Sequence, residues 1–86
     1  MEFEWDERKN LANRTKHGFD FTFAGRIFAG TVREYADPRP WNEQRIVATG
    51  QVEGRFITIV YTRRNNVYRI ISARIARSKE RFDDHP

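Results

Sequence analysis

Cysteine is absent from this 86-residue chain, which excludes a disulfide framework and thiolate chemistry and agrees with a reducing cytosol. No apolar run approaches the roughly 18 residues that a bilayer-spanning helix needs. No signal-peptide pattern opens the sequence, so a soluble, cytoplasmic protein is expected. Histidine is almost absent too. His17 and His85 share no local motif, and the Asp83, Asp84, His85 group near the end is at most a weak cation site, so no metal or other cofactor is expected. Without a P-loop, a dinucleotide fingerprint or a Gly-Xaa-Ser-Xaa-Gly turn, nucleotide-driven and serine-hydrolase chemistries have no support. No internal repeat, low-complexity tract or linker is visible, and at this length a single domain over 1–86 with a small core is expected.

What is abundant is arginine. Thirteen of the sixteen cationic residues are Arg, the net charge is +4, and from Arg63 to Arg81 seven basic residues face one acid, Glu80. The planar guanidinium fork matches phosphate oxygens and stacks on bases, so this half of the chain suits a polyanion as well as it suits a solvated surface.

The pattern of residues predicts an α+β domain in two layers: two N-terminal helices packed on one face of an antiparallel sheet of about four strands. "MEFEW" alternates as a short half-buried strand. Asp6 and Gly18 bracket a helix of about eleven residues, and Asp20 opens a second across "FTFAGRIFAG", whose phenylalanines, Ile27 and alanines make it the core helix. "TVREYAD" reads as a strand, and Pro38 and Pro40 break the chain around Arg39 and Trp41. "EQRIVATG", "RFITIVYTRR" and "VYRIISARIA" then form a meander with turns at Glu53-Gly54 and Asn65-Asn66. With Asn65 and Asn66 as turn residues, Thr62 faces Arg69, Val60 faces Ile71 and Thr58 faces Ala73. Ile57, Ile59, Tyr61, Ile70 and Arg74 then share the other face, and Arg45 falls opposite Thr62, with Val47 next to Val60. A last helical turn is expected around Arg77 to Phe82.

The first helix is unusual in having little to bury. Leu11 is its one large aliphatic and is expected to anchor its back, while spacing by three and four gathers Lys9, Asn13, Lys16 and His17 on one side. Such a set can serve phosphodiester cleavage in which RNA supplies its own nucleophile, the 2′-hydroxyl. That reaction needs a proton acceptor, a proton donor and cations against the pentacoordinate phosphate, all within reach of Arg, Lys, His and Glu side chains.

Three separated stretches resemble the BrnT toxins: "FEWDERKNLANRTKHGFDF", "DPRPWNEQRIVATG" and "VYTRRNNVYRIISARIARSKE". The resemblance spans nearly the whole chain. It implies a RelE-like fold and the toxin half of a type II toxin-antitoxin pair, a metal-independent endoribonuclease that arrests translation. The implied partners are a BrnA-like ribbon-helix-helix antitoxin, RNA and the ribosome, with DNA reached only through the antitoxin. Carried over by position, Lys16, His17, Glu43, Arg45 and Arg69 would be catalytic, while Lys9, Asn13, Arg39 and Arg74 would bind substrate; Trp41, as a ring on which a base can stack, and Arg77, in the arginine-rich half, are expected to bind substrate on the residues alone. Lys16 or His17 would donate the proton and Glu43 or His17 accept it. Pro40 and Trp41 depart from the family pattern, where polar residues or histidine are frequent. The competing expectation is a noncatalytic basic module that binds RNA or the ribosome and blocks it.

Overall fold

In the computed structural model, which describes residues 1–83, strand β1 (Glu2–Trp5) leads into helix α1 (Glu7–His17). Helix α2 (Phe21–Ala24) continues as a 3-10 segment over Gly25–Ala29. Strands β2 (Val32–Ala36), β3 (Ile46–Val52), β4 (Arg55–Arg64) and β5 (Val67–Ile75) follow, then a 3-10 turn at Ser78–Glu80. Of the Asp83, Asp84, His85 group, the latter two lie outside the described residues.

The class is α+β as expected, but the sheet differs from four antiparallel strands. It has five, in the order β1-β5-β4-β3-β2, and β1 pairs parallel to β5. Helix α1 and the core segment carry the chain from β1 to β2 at the opposite edge, and the antiparallel strands then return until β5 lies parallel to β1, a pairing too distant in sequence for local pattern to reveal. The second helix is likewise not one α-helix: it tightens to 3-10 geometry from Gly25. The C-terminal turn is shorter than Arg77 to Phe82, being confined to Ser78–Glu80.

Local chemistry sets the element ends. The Asp6 carboxylate accepts from the Arg8 amide at 2.9 Å, and Gly18, at φ 83°, closes α1 through its N–H to the Arg14 carbonyl. Asp20 accepts from the Phe23 amide at 2.8 Å. Both hairpin turns use pairs of residues in the left-handed region, Glu53-Gly54 and Asn65-Asn66, whose backbone twist matches that of the flanking strands.

One face of the sheet is packed. Phe19, Phe21, Ala24 and Ile27 press on Ala48, Ile57, Ile59, Tyr61, Ile70 and Ala73. The Phe28 ring meets Tyr61 and Tyr68 edge-on, and Tyr61 stacks on Tyr68 at 4.8 Å. The Tyr61 hydroxyl donates to Glu34, and burial, then this carboxylate, raises its pKa. Gly50 lies under Ile27: a Cβ there would stand 2.8 Å from the Ile27 Cβ, so this strand position has room only for hydrogen.

Leu11 does not anchor α1; it is 55% exposed. The helix is instead attached by two buried amides. Asn10 Oδ1 accepts from the Phe21 N–H at 2.7 Å and Asn13 Nδ2 donates to the Phe19 carbonyl at 3.0 Å. Phe21 is the first residue of α2, so Asn10 satisfies an amide that the short helix cannot.

Candidate active site

The sheet's second face is read directly from the strand register. Thr62 stands opposite Arg69 as expected, but the pairing then slips between Val60 and Tyr61, leaving Ile71 as an extra residue. Val60 therefore faces Ser72, and Thr58 faces Arg74 rather than Ala73. The bulge corrects the expected face of Arg74: it leaves the core side, where Ile57, Ile59, Tyr61 and Ile70 remain, and joins the open one.

Three adjacent cross-strand rows of the open face carry the residues that matter here. The first holds Arg33, Thr49, Thr58 and Arg74, and the second Tyr35, Val47, Val60 and Ser72. The third holds Thr62, Arg69 and Glu4. Thr62 lies four residue steps along β4 from Thr58, so the first and third of these rows are ~13 Å apart.

In the first row Arg74 is held by Glu80, Nη1 to Oε1 at 2.6 Å and Nη2 to Oε2 at 2.8 Å. Glu80 also accepts from the Thr58 hydroxyl, which meets that of Thr49, and from the Arg77 amide. The Arg74 guanidinium, above all, draws the Glu80 pKa down to about 2. Arg77, expected on the substrate side, has its own side chain exposed beside this turn.

Where β1 ends, the second half of β5 is left without a strand on that side, and α1 runs along it. A cleft of about 360 Å³ opens between them, lined by Lys9, Ala12, Asn13, Lys16, His17 and Phe21 from the helical layer and by Ile71, Ser72, Ala73 and Arg74 from β5. No acidic side chain lines it. Lys9, Asn13, Lys16, His17 and Arg74 are thus brought together, although Asn13 is buried and its amide also binds Phe19.

The other expected residues form a separate cluster at the third row. Glu43 and Arg45 do not sit on a strand, which starts at Ile46, and they do not pair with each other. Glu43 takes Arg64 at 2.9 and 3.2 Å, and this arginine, with Arg45 and Arg69 more weakly, lowers its pKa. Arg69 approaches Glu4 at 3.5 Å. The Arg45 guanidinium lies 3.8 Å from the Trp41 ring centroid and that of Arg39 lies 4.9 Å from it.

Sequence reading missed Glu80, Asp37 and Asn10, each of which holds another residue of these clusters in place. Asp37 had a visible signal: an Asp before a Pro-rich break commonly turns back to bind amides two residues on, as its carboxylate does with the Arg39 amide at 3.1 Å. Glu80 had none, because its partner comes from a strand and no helical or strand period links them.

Among the described residues no three His, Cys, Asp or Glu side chains gather as a metal site requires, and no helix is long and apolar enough to cross a membrane. No curated protein matches the chain. A family model does, over residues 5–80: that of the ribonuclease toxin, BrnT, of type II toxin-antitoxin systems. With that match covering nearly its whole length, the chain belongs to the BrnT family of ribonuclease toxins.

Proposed function

We propose that this chain is a RelE-like, metal-independent endoribonuclease that arrests translation, and that its reaction centre is the α1–β5 cleft. The observation that carries this reading is the meeting of Lys9, Lys16 and His17 with Arg74, itself clasped from behind by Glu80, across one concavity that no acidic side chain lines. In the reaction, neutral His17 takes the proton of a 2′-hydroxyl whose oxygen bonds to phosphorus, while the ammonium of Lys16 protonates the departing 5′-oxygen. Lys9 and Arg74 offset charge on the pentacoordinate phosphate, and the products are a 2′,3′-cyclic phosphate and a 5′-hydroxyl. Of the two candidate bases His17 is favoured over Glu43, since Glu43 lies outside the cleft and its bond to Arg64 makes it a weaker base. Arg69, in the third row, and Arg45, on the loop beside it, hold a neighbouring stretch of the RNA.

The protein partner is a BrnA-like ribbon-helix-helix antitoxin, through which the pair reaches operator DNA, and the ribosome presents the RNA. The test is cleavage of RNA, in EDTA without ribosomes and in Mg2+ with translating ribosomes, by the wild type and by Lys16→Ala, His17→Ala, Glu43→Ala and Arg69→Ala. Losses of about 10²-fold or more are expected for the first two. Full activity in both would remove the cleft from the chemistry. Intact RNA under both conditions, with growth still arrested on expression, would favour blockade by binding alone.

A further inference from the structure

The loop between β2 and β3 ties four side chains into a chain of contacts at the corner of the open face. Asp37, with its side chain 5% exposed, takes the Arg39 guanidinium at 2.6 Å and the Trp41 indole N–H at 3.1 Å. Its own backbone N–H donates to the Arg45 carbonyl at 2.8 Å. The bonds from Arg39, chiefly, hold the Asp37 carboxyl well below the usual carboxylate range, so it stays ionised at any working pH. Trp41 passes the constraint on: the Arg45 guanidinium lies 3.8 Å from its ring centroid.

The neighbouring cations are matched by acids, Arg39 by Asp37, Arg64 by Glu43 and Arg69 by Glu4. Arg45 is the exception. Among the described residues no carboxylate forms an ion pair with it, and its buried Nε has no hydrogen-bond partner. A guanidinium laid against an indole ring keeps its edge N–H groups for an acceptor, and a pair of phosphate oxygens fits that fork. Arg45 belongs to the corner with Arg69, and the Arg69 and Arg74 rows are ~13 Å apart, too far for one phosphate to bridge.

We propose that Asp37 and Trp41 are positioning residues that present Arg45 to a backbone phosphate of single-stranded RNA, flanking the phosphate held in the α1–β5 cleft. The inference rests on the endoribonuclease reading for its substrate. Trp41 then acts through Arg45 and not as a platform on which a base stacks.

The experiment measures kcat and KM on a mixed-sequence RNA oligonucleotide, and by fluorescence anisotropy the Kd for its 2′-O-methyl analogue, which lacks the nucleophile. Thermal unfolding verifies that each variant is folded. Arg45→Ala and Trp41→Ala are each expected to raise KM and Kd about 10-fold with kcat changed less than about 2-fold, and Trp41→Phe, which keeps a ring face, recovers most of the loss. Asp37→Asn falls between Trp41→Phe and Trp41→Ala. The double variant Trp41→Ala/Arg45→Ala is no weaker than Arg45→Ala alone. Unchanged affinity in Trp41→Ala, or losses that multiply in the double variant, would overturn the proposal, the latter by showing that Trp41 meets RNA directly. If the wild type leaves RNA uncut, the endoribonuclease reading fails, and the anisotropy series decides for or against the Arg45 subsite by itself.

Discussion

Glu80 grips Arg74 through two parallel hydrogen bonds of 2.6 and 2.8 Å, fastening the C-terminal turn to the open face of the sheet. The Phe82 ring completes the attachment, meeting Phe56 at 5.2 Å with the Arg33 guanidinium 4.7 Å above it. The arginine that walls the cleft is therefore fixed before any substrate arrives.

The depressed Glu80 pKa makes this clasp a source of pH-dependent stability. Its folded-state value, about 2, lies below the ordinary 4.5, so the stabilisation is complete above the latter and is lost as pH falls through the former. Because Glu80 keeps some contact with solvent, it contributes about 1–2 kcal/mol at pH 7. Urea unfolding of Glu80→Gln and wild type is expected to differ by that amount at pH 7 and to converge near pH 2. An equal gap at both pH values would mean that the carboxylate charge is not what matters.

Buried asparagines, not the one large aliphatic, are expected to govern attachment of α1. Asn10→Ala strands the Phe21 amide and Asn13→Ala the Phe19 carbonyl, each costing about 1–3 kcal/mol. Leu11→Ala, at a 55% exposed position, is expected to stay within about 0.5 kcal/mol of wild type. Chemical denaturation of the three variants checks the order, which a hydrophobicity argument would reverse.

Gly50→Ala is expected to destabilise by about 1–3 kcal/mol, since its methyl would meet Ile27 at 2.8 Å and Val32 at 3.0 Å. Gly30→Ala is the control: nothing lies within 4 Å of a Cβ there, and φ is −123°. A shift in melting temperature for the first and none for the second distinguishes crowding from a general glycine effect.

Much of the scaffold was legible because it rests on local chemistry. Asp6, Gly18, Asp20 and the two hairpin turns announce themselves by side-chain type at element ends, and β-branched and aromatic runs mark the last three strands. The parallel placement of β1 was not legible, because its partner β5 is too distant in sequence. Nor was the bulge at Ile71, which moves Arg74 to the other face although nothing in "YRIISARI" marks an extra residue. In the candidate site, the helical spacing of Lys9, Asn13, Lys16 and His17 correctly foretold a shared side. The partners that fix the arginines did not show, since Glu80 reaches Arg74 across a turn and Trp41 reaches Arg45 across a loop.

The central claim is that an RNA 2′-hydroxyl is the nucleophile and the protein supplies only proton transfer and positive charge. The direct measurement is the mass of the fragments left when the purified chain cuts a defined RNA in EDTA. The account predicts 2′,3′-cyclic phosphate ends paired with 5′-hydroxyl ends; 5′-phosphate ends, or cleavage of the same strand after its 2′-hydroxyls are methylated, would contradict it.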